Sequence, residues 1–170
     1  MTQIMNLIGQ KAKKASFEKI NTKIKNKVLK RYASLLDNKK KLILKANTKD
    51  IKFALEKGLK NNLIDRLTIN QKKLNDIRSS VNKIAKQKDP IDNILEKWSQ
   101  PNGLKITRVS IPIGVIGVIY ESRPNVTCDV ASLCFKSGNA VILKGGSEAL
   151  NTNKIFAKLF RKALKENKVN

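Results

Sequence analysis

Histidine is missing from this 170-residue sequence, and cysteine occurs only as Cys128 and Cys134. A Cys/His zinc site is therefore excluded, and no Cys–His catalytic pair can form from this chain alone. The two cysteines are not part of a CxxC. Six residues apart on one expected helix, they point about 120° away from each other, which is poor geometry for a disulfide. Reduced, buried thiols are the expectation. Aromatic residues reach only 5%, too few to build a platform on which nucleic-acid bases stack. No run of about eighteen apolar residues occurs, so no membrane-spanning helix and no membrane partner are expected. Acidic residues are scarce too, 13 against 36 lysines and arginines, for a net charge of +23. Charge of that sign first suggests nucleic acid. It is nearly all lysine, however, whereas base and phosphate recognition favours the fork of arginine. It is also spread from Lys11 to Lys168 instead of forming one stripe. The expectation is a solvated surface with no specific nucleic-acid partner, and a Lys-rich module for nucleic acid or acidic partners stays as the alternative.

What is present fits a folded protein: 41% of the residues are hydrophobic, too many for a disordered tail. The opening Met1-Thr2-Gln3-Ile4-Met5-Asn6-Leu7 has no charged leader ahead of a long apolar core, so no secretory signal is expected. Transit peptides favour Arg and Ser, both scarce there, which leaves the amphipathic first helix of a cytoplasmic protein. Up to about Lys88 the pattern is helical. Ile24, Val28, Leu29, Tyr32, Leu35 and Leu36 form one apolar stripe, with Asn21 or Thr22 as N-cap. Leu42, Ile43, Ala46, Ile51, Ala54 and Leu55 continue it to a C-capping Gly58. Asn70 caps a further helix carrying Leu74, Ile77, Val81 and Ile84. The stripes are wider than a heptad seam and interrupted by caps, so these helices are expected to pack on a neighbouring domain. Asp89-Pro90 ends the helical region, and Trp98 to Gly103 reads as a connector with turn chemistry. The expected division is a helical region over 1–100 and the first part of an α/β domain over 101–170.

Leu104, Ile106 and Val109 read as a strand exposed on one side. The run Ile111 to Tyr120 has the signature of a strand buried on both faces, stopped by Glu121-Ser122-Arg123-Pro124-Asn125. A helix follows with Val126, Val130, Leu133 and Cys134 on one face and Gly138 after its end. Ala140 to Leu143 is a second buried strand, stopped by Lys144-Gly145-Gly146-Ser147-Glu148, and another helix starts near Asn151. Strand, helix, strand, helix is the beginning of a doubly wound parallel sheet, in which ligands bind beyond the carboxyl ends of the strands. Both polar clusters lie there. In the second, two glycines let backbone approach a ligand closely, the next helix offers its N-terminal N–H groups, and Lys144 and Ser147 supply a cation and a hydroxyl. It is neither a Walker loop nor a Gly-x-Gly-x-x-Gly fingerprint, and taken alone it is equally a tight turn. In the first cluster Asn125 is either an oxyanion donor or the cap of the following helix, and the residues alone favour the cap.

The stretch Pro112-Ile-Gly-Val-Ile-Gly-Val-Ile-Tyr-Glu-Ser-Arg-Pro-Asn-Val-Thr127, followed by Ser132-Leu-Cys-Phe-Lys-Ser-Gly-Asn-Ala-Val-Ile-Leu-Lys-Gly-Gly-Ser-Glu-Ala149, closely resembles the gamma-glutamyl phosphate reductase family of the aldehyde dehydrogenase superfamily. Asn47-Thr48-Lys49-Asp50, Asp65-Arg66-Leu67, Asp89-Pro90 and Asn102-Gly103-Leu104 extend the resemblance over essentially the whole chain, in order. It implies an aldehyde-dehydrogenase-like α/β fold and reduction of L-glutamyl 5-phosphate by NADPH to glutamate 5-semialdehyde in proline biosynthesis, with release of phosphate. It also implies a cysteine nucleophile in a separate domain, so the chain is expected to be an amino-terminal fragment in which neither Cys128 nor Cys134 is that nucleophile. By the same resemblance Lys144 holds the adenosine ribose, within the loop Lys144-Gly145-Gly146-Ser147, and Ser147 leaves room for a 2′-phosphate. Asn125 is the oxyanion donor, while Arg123 contacts the acyl phosphate or the substrate carboxylate, or forms a structural ion pair. Glutamate 5-kinase and further copies of the complete enzyme are the partners implied.

Overall fold

The computed structural model describes residues 2–169. Five helices come first: α1 (Thr2–Ser16), α2 (Thr22–Asn38), α3 (Lys40–Glu56), α4 (Asn61–Leu67) and α5 (Gln71–Lys86). The caps read from the sequence are in place. Asn21 Oδ1 accepts the Ile24 N–H at 2.9 Å, and Asn70 Oδ1 accepts the Lys73 N–H at 2.8 Å, each satisfying a donor the helix cannot pair itself. Gly58 ends α3 with φ of +69°, the left-handed position where glycine costs least. The short α4 lies where the sequence reading had only a connection; it delivers Leu67 to the interior.

Four helical stripes meet in one core. Val28, Leu29, Tyr32 and Leu36 from α2 and Leu74, Ile77, Val81 and Ile84 from α5 pack with residues of two later helices, α6 (Asn125–Lys136) and α7 (Leu150–Glu166). Within it Phe160 lies edge-on to Tyr32 at 4.9 Å and to Phe135 at 5.8 Å between ring centroids, the arrangement ring quadrupoles favour. The early helices thus pack on the later part of the chain, as their broad stripes require.

Two pairs of strands complete the fold. β1 (Ile94–Ser99) and β2 (Lys105–Val109) form an antiparallel hairpin in which Trp98 faces Ile106. This corrects the reading of Trp98 as part of a connector. Leu95-Glu96-Lys97-Trp98 carries no β-branched residue, so only the turn beyond it was visible as a signal. That turn holds Gly103 at φ +85°, and Asn102 Oδ1 accepts the Leu104 N–H. β3 (Val115–Tyr120) and β4 (Ala140–Gly145) pair in parallel, Val115 with Ala140 through Tyr120 with Gly145, with α6 as the connection and α1 lying against both. Burial of β3 on both faces is not found. Ile116, Val118 and Tyr120 are half-buried, while Val115 and Ile119 are exposed, Ile119 to 84%. A β-branched run records what a strand can bury on both sides, not which sides are covered here.

Candidate functional site

The parallel register sets the two polar clusters side by side. Tyr120 and Gly145 are paired, so the residues after them, 121–125 and 146–149, leave the same end of the sheet. Beneath them a chain of side chains locks β3, α6 and α7 together. The Tyr120 hydroxyl lies 2.6 Å from Thr127 Oγ1, which donates to Asn153 Oδ1 at 2.9 Å. Burial raises the Tyr120 pKa, against the Thr127 hydrogen bond, and the phenol stays neutral. This chain was invisible in the sequence, because each member is an ordinary residue of its own element.

The glycines serve close packing within the protein. A Cβ at Gly145 would meet the Asn153 amide and lie 3.1 Å from the Tyr120 hydroxyl, and one at Gly146 would collide with the Glu148 carboxylate. Lys144 is exposed, and among the described residues its Nζ reaches only the neighbouring Gly145 carbonyl at 3.2 Å. Ser147 is exposed at the start of a 3-10 turn, Ser147–Ala149. A cation and a hydroxyl open to solvent on one loop are groups that a phosphorylated ribose would use.

The N-terminus of α7 is not open to a phosphate as expected. Asp50, buried on α3, accepts the Asn151 N–H at 3.0 Å and the Thr152 N–H at 2.8 Å, together with the Thr152 hydroxyl at 2.6 Å and the Asn151 amide at 2.8 Å. Asn47, one turn earlier, accepts the Ile69 N–H at 2.7 Å and donates to the Leu67 carbonyl at 2.9 Å. A buried carboxylate must be fully hydrogen-bonded, and α7 offers the donors. The dipole end of α7 is therefore neutralised from within.

In the first cluster the N-cap of α6 is Pro124, with no side-chain cap. Asn125 does not cap; its amide donates along its own helix to Asp129 Oδ2 at 3.2 Å. Arg123 is exposed, and among the described residues its guanidinium forms no ion pair. Glu148 bridges the clusters, its Oε1 accepting the Ser122 N–H at 2.7 Å and the Ser122 hydroxyl at 3.0 Å.

No family profile matches the chain. The gamma-glutamyl phosphate reductase of Hydrogenobaculum sp. is 51% identical over 147 residues, covering 86% of this chain and 33% of that protein. That of Persephonella marina is 47% identical over 148 residues, covering 87% and 33%. The chain is a homologue of the gamma-glutamyl phosphate reductases. It spans about a third of the length of these curated relatives. The crystal structure of the Thermotoga maritima reductase superposes with a TM-score of 0.90 at 42% identity, over 94% of this chain and 39% of that one. A probable aldehyde dehydrogenase from Listeria monocytogenes, at TM-score 0.67 and 16% identity over 99% of this chain and 34% of that one, shares the fold. The α/β fold with a helical beginning is thus that of the reductases and, more widely, of aldehyde dehydrogenases.

Both cysteines of this reductase homologue lie in the core. Burial pushes the Cys128 thiol well up despite its 3.0 Å contact with the Tyr32 hydroxyl, and raises that of Cys134 as well. Neither is poised as a thiolate.

Proposed function

We propose that this segment supplies the ribose-binding and substrate-facing loops of an enzyme that reduces L-glutamyl 5-phosphate with NADPH to L-glutamate 5-semialdehyde, releasing phosphate, in proline biosynthesis. The observation that carries the reading is the identity of 47% and 51% to proteins named gamma-glutamyl phosphate reductase, over nearly nine tenths of the chain. The juxtaposition of the two loops at one end of β3 and β4 supports it, because that is where open parallel sheets bind ligands. When bound, NADPH supplies the hydride. Lys144 holds the adenosine ribose and its 2′-phosphate, the short Ser147 side chain leaves that phosphate room and donates a hydroxyl, and Gly145 and Gly146 keep the loop close to the sheet. Arg123, exposed and without an ion pair among the described residues, takes an anionic group of the substrate. Asn125 donates its amide to the developing oxyanion once it turns away from Asp129.

In this reading residues 1–100 form the region that is helical up to Lys86 and 101–170 the first part of the NADPH domain, with β1 and β2 pairing across that boundary, and the nucleophilic cysteine lies in the remainder that the longer relatives possess. An acyl phosphate is short-lived in water, so glutamate 5-kinase is the proposed partner that supplies it. The complete enzyme is proposed to be a cytoplasmic homo-oligomer. No observation favours a Lys-rich nucleic-acid module. The test is titration of NADPH fluorescence in the complete enzyme. Lys144→Ala should weaken binding, and Ser147→Glu should weaken it further by placing a carboxylate against the 2′-phosphate. Unchanged affinity in both variants would remove this loop from the cofactor site.

A further inference from the structure

Glu148 follows the Gly145-Gly146-Ser147 loop, and its carboxylate reaches into the segment after β3. There Oε1 accepts both the backbone N–H and the hydroxyl of Ser122, at 2.7 and 3.0 Å. The absence of a side chain at Gly146 lets the carboxylate pass, since a Cβ would occupy its place. Ser122 is 7% exposed and has φ of +31°. A residue with a Cβ enters positive φ only where its surroundings over-determine it, and two hydrogen bonds to one carboxylate oxygen do so here. Arg123 comes next in the chain. It is exposed and forms no ion pair among the described residues, so the backbone inherited from Ser122 sets its direction. Burial opposes the charge on Glu148, but its own N–H, the Ser122 donors and nearby Lys144 outweigh burial and hold its carboxyl below the usual value.

We propose that Glu148 is a positioning residue: it holds Ser122 in its positive-φ conformation and thereby aims Arg123 at the anionic group of the substrate. The inference rests on the proposed substrate-facing role of Arg123. It makes the cofactor loop and the substrate loop one unit, tied by a carboxylate that touches neither ligand.

The test uses the complete enzyme, assayed as phosphate-dependent oxidation of glutamate 5-semialdehyde. Glu148→Ala should raise the KM for semialdehyde or for phosphate by about ten- to a hundredfold, the range for a misplaced binding group, with NADPH affinity within about twofold of the parent. Glu148→Gln keeps a carbonyl acceptor in the same place and should recover most of the loss, which a general loosening of the fold would not allow. Unchanged KM values in Glu148→Ala, or a loss confined to NADPH affinity, would overturn the proposal. Should Glu148→Ala fail to fold, the Ser122 amide proton resonance in the parent protein decides. It should lie downfield and move as Glu148 titrates, and a resonance indifferent to that titration would also overturn it. Arg123→Ala separates the two layers of the argument. If Arg123→Ala leaves both KM values unchanged, its substrate role falls, while the Ser122 resonance still reports whether the Glu148 contact exists.

Discussion

Asp50 does for α7 what no residue of α7 does for itself, accepting hydrogen bonds from two backbone N–H groups, a hydroxyl and an amide. Asp50→Ala would leave buried donors without partners and should lower stability by about 3 kcal/mol, with Asp50→Asn losing less because an acceptor remains. Urea denaturation of the two variants checks this, and equal midpoints would show that water replaces the carboxylate at no cost. The Asn47 to Asp50 spacing was legible in the sequence as part of the family resemblance, but the partners of Asp50 lie a hundred residues further on and no local pattern points to them. Asp89 is similar. Read as a helix stop, it also accepts hydrogen bonds from Lys25 at 3.0 Å and Thr22 at 2.8 Å. Burial opposes its charge, yet these bonds and the Ile91 N–H hold its carboxyl below the ordinary value. A carboxyl lowered on folding contributes stability that is whole above the unfolded value, near about 3.9, and is lost as pH falls through the folded one. Asp89→Asn should therefore be less stable at neutral pH and show a flatter loss below about pH 4. The same acid slope in both proteins would contradict the assignment.

Among the elements, α2, α3, α5, α6 and α7 were legible because each carries a stripe and most carry a visible end signal. β3 and β4 were legible as β-branched runs cut off by polar clusters. β1 was not, since a strand exposed along its whole length needs no apolar alternation. The two candidate loops were legible as positions, but their contents were only partly so. Lys144 and Ser147 are open as a cofactor loop requires, whereas the end of α7 is already occupied by Asp50. The start of α6 separates two readings of Asn125. With Pro124 as N-cap, Asn125→Ala removes only a side-chain contact to Asp129 and should cost about 0.5 kcal/mol or less. If its amide serves the oxyanion, turnover of the complete enzyme should fall by about 10²–10³. A clear drop in melting temperature with turnover preserved would restore the helix-cap role.

For the molecule as a whole, the buried core lies among the helices, while the strands and the segments joining them keep apolar surface open. Ile94, Leu95, Trp98, Leu104, Ile111, Ile113 and Ile119 are exposed, and each edge of the β3–β4 pair lacks a neighbouring strand among the described residues. Such edges beside apolar side chains template association. The net charge of +23 opposes it by repulsion, which salt screens over about 8 Å at physiological ionic strength. Size-exclusion chromatography of this chain should therefore show a species that associates as salt is raised; a compact monomer at every salt concentration would mean that the open faces are better protected than their exposure indicates. The most direct measurement of the central claim is NADPH formation from NADP⁺, glutamate 5-semialdehyde and phosphate by the complete enzyme and its Lys144→Ala variant. Turnover should require phosphate, and Lys144→Ala should raise the KM for NADP⁺. Turnover indifferent to phosphate, or an unchanged KM for NADP⁺ in the variant, would contradict it.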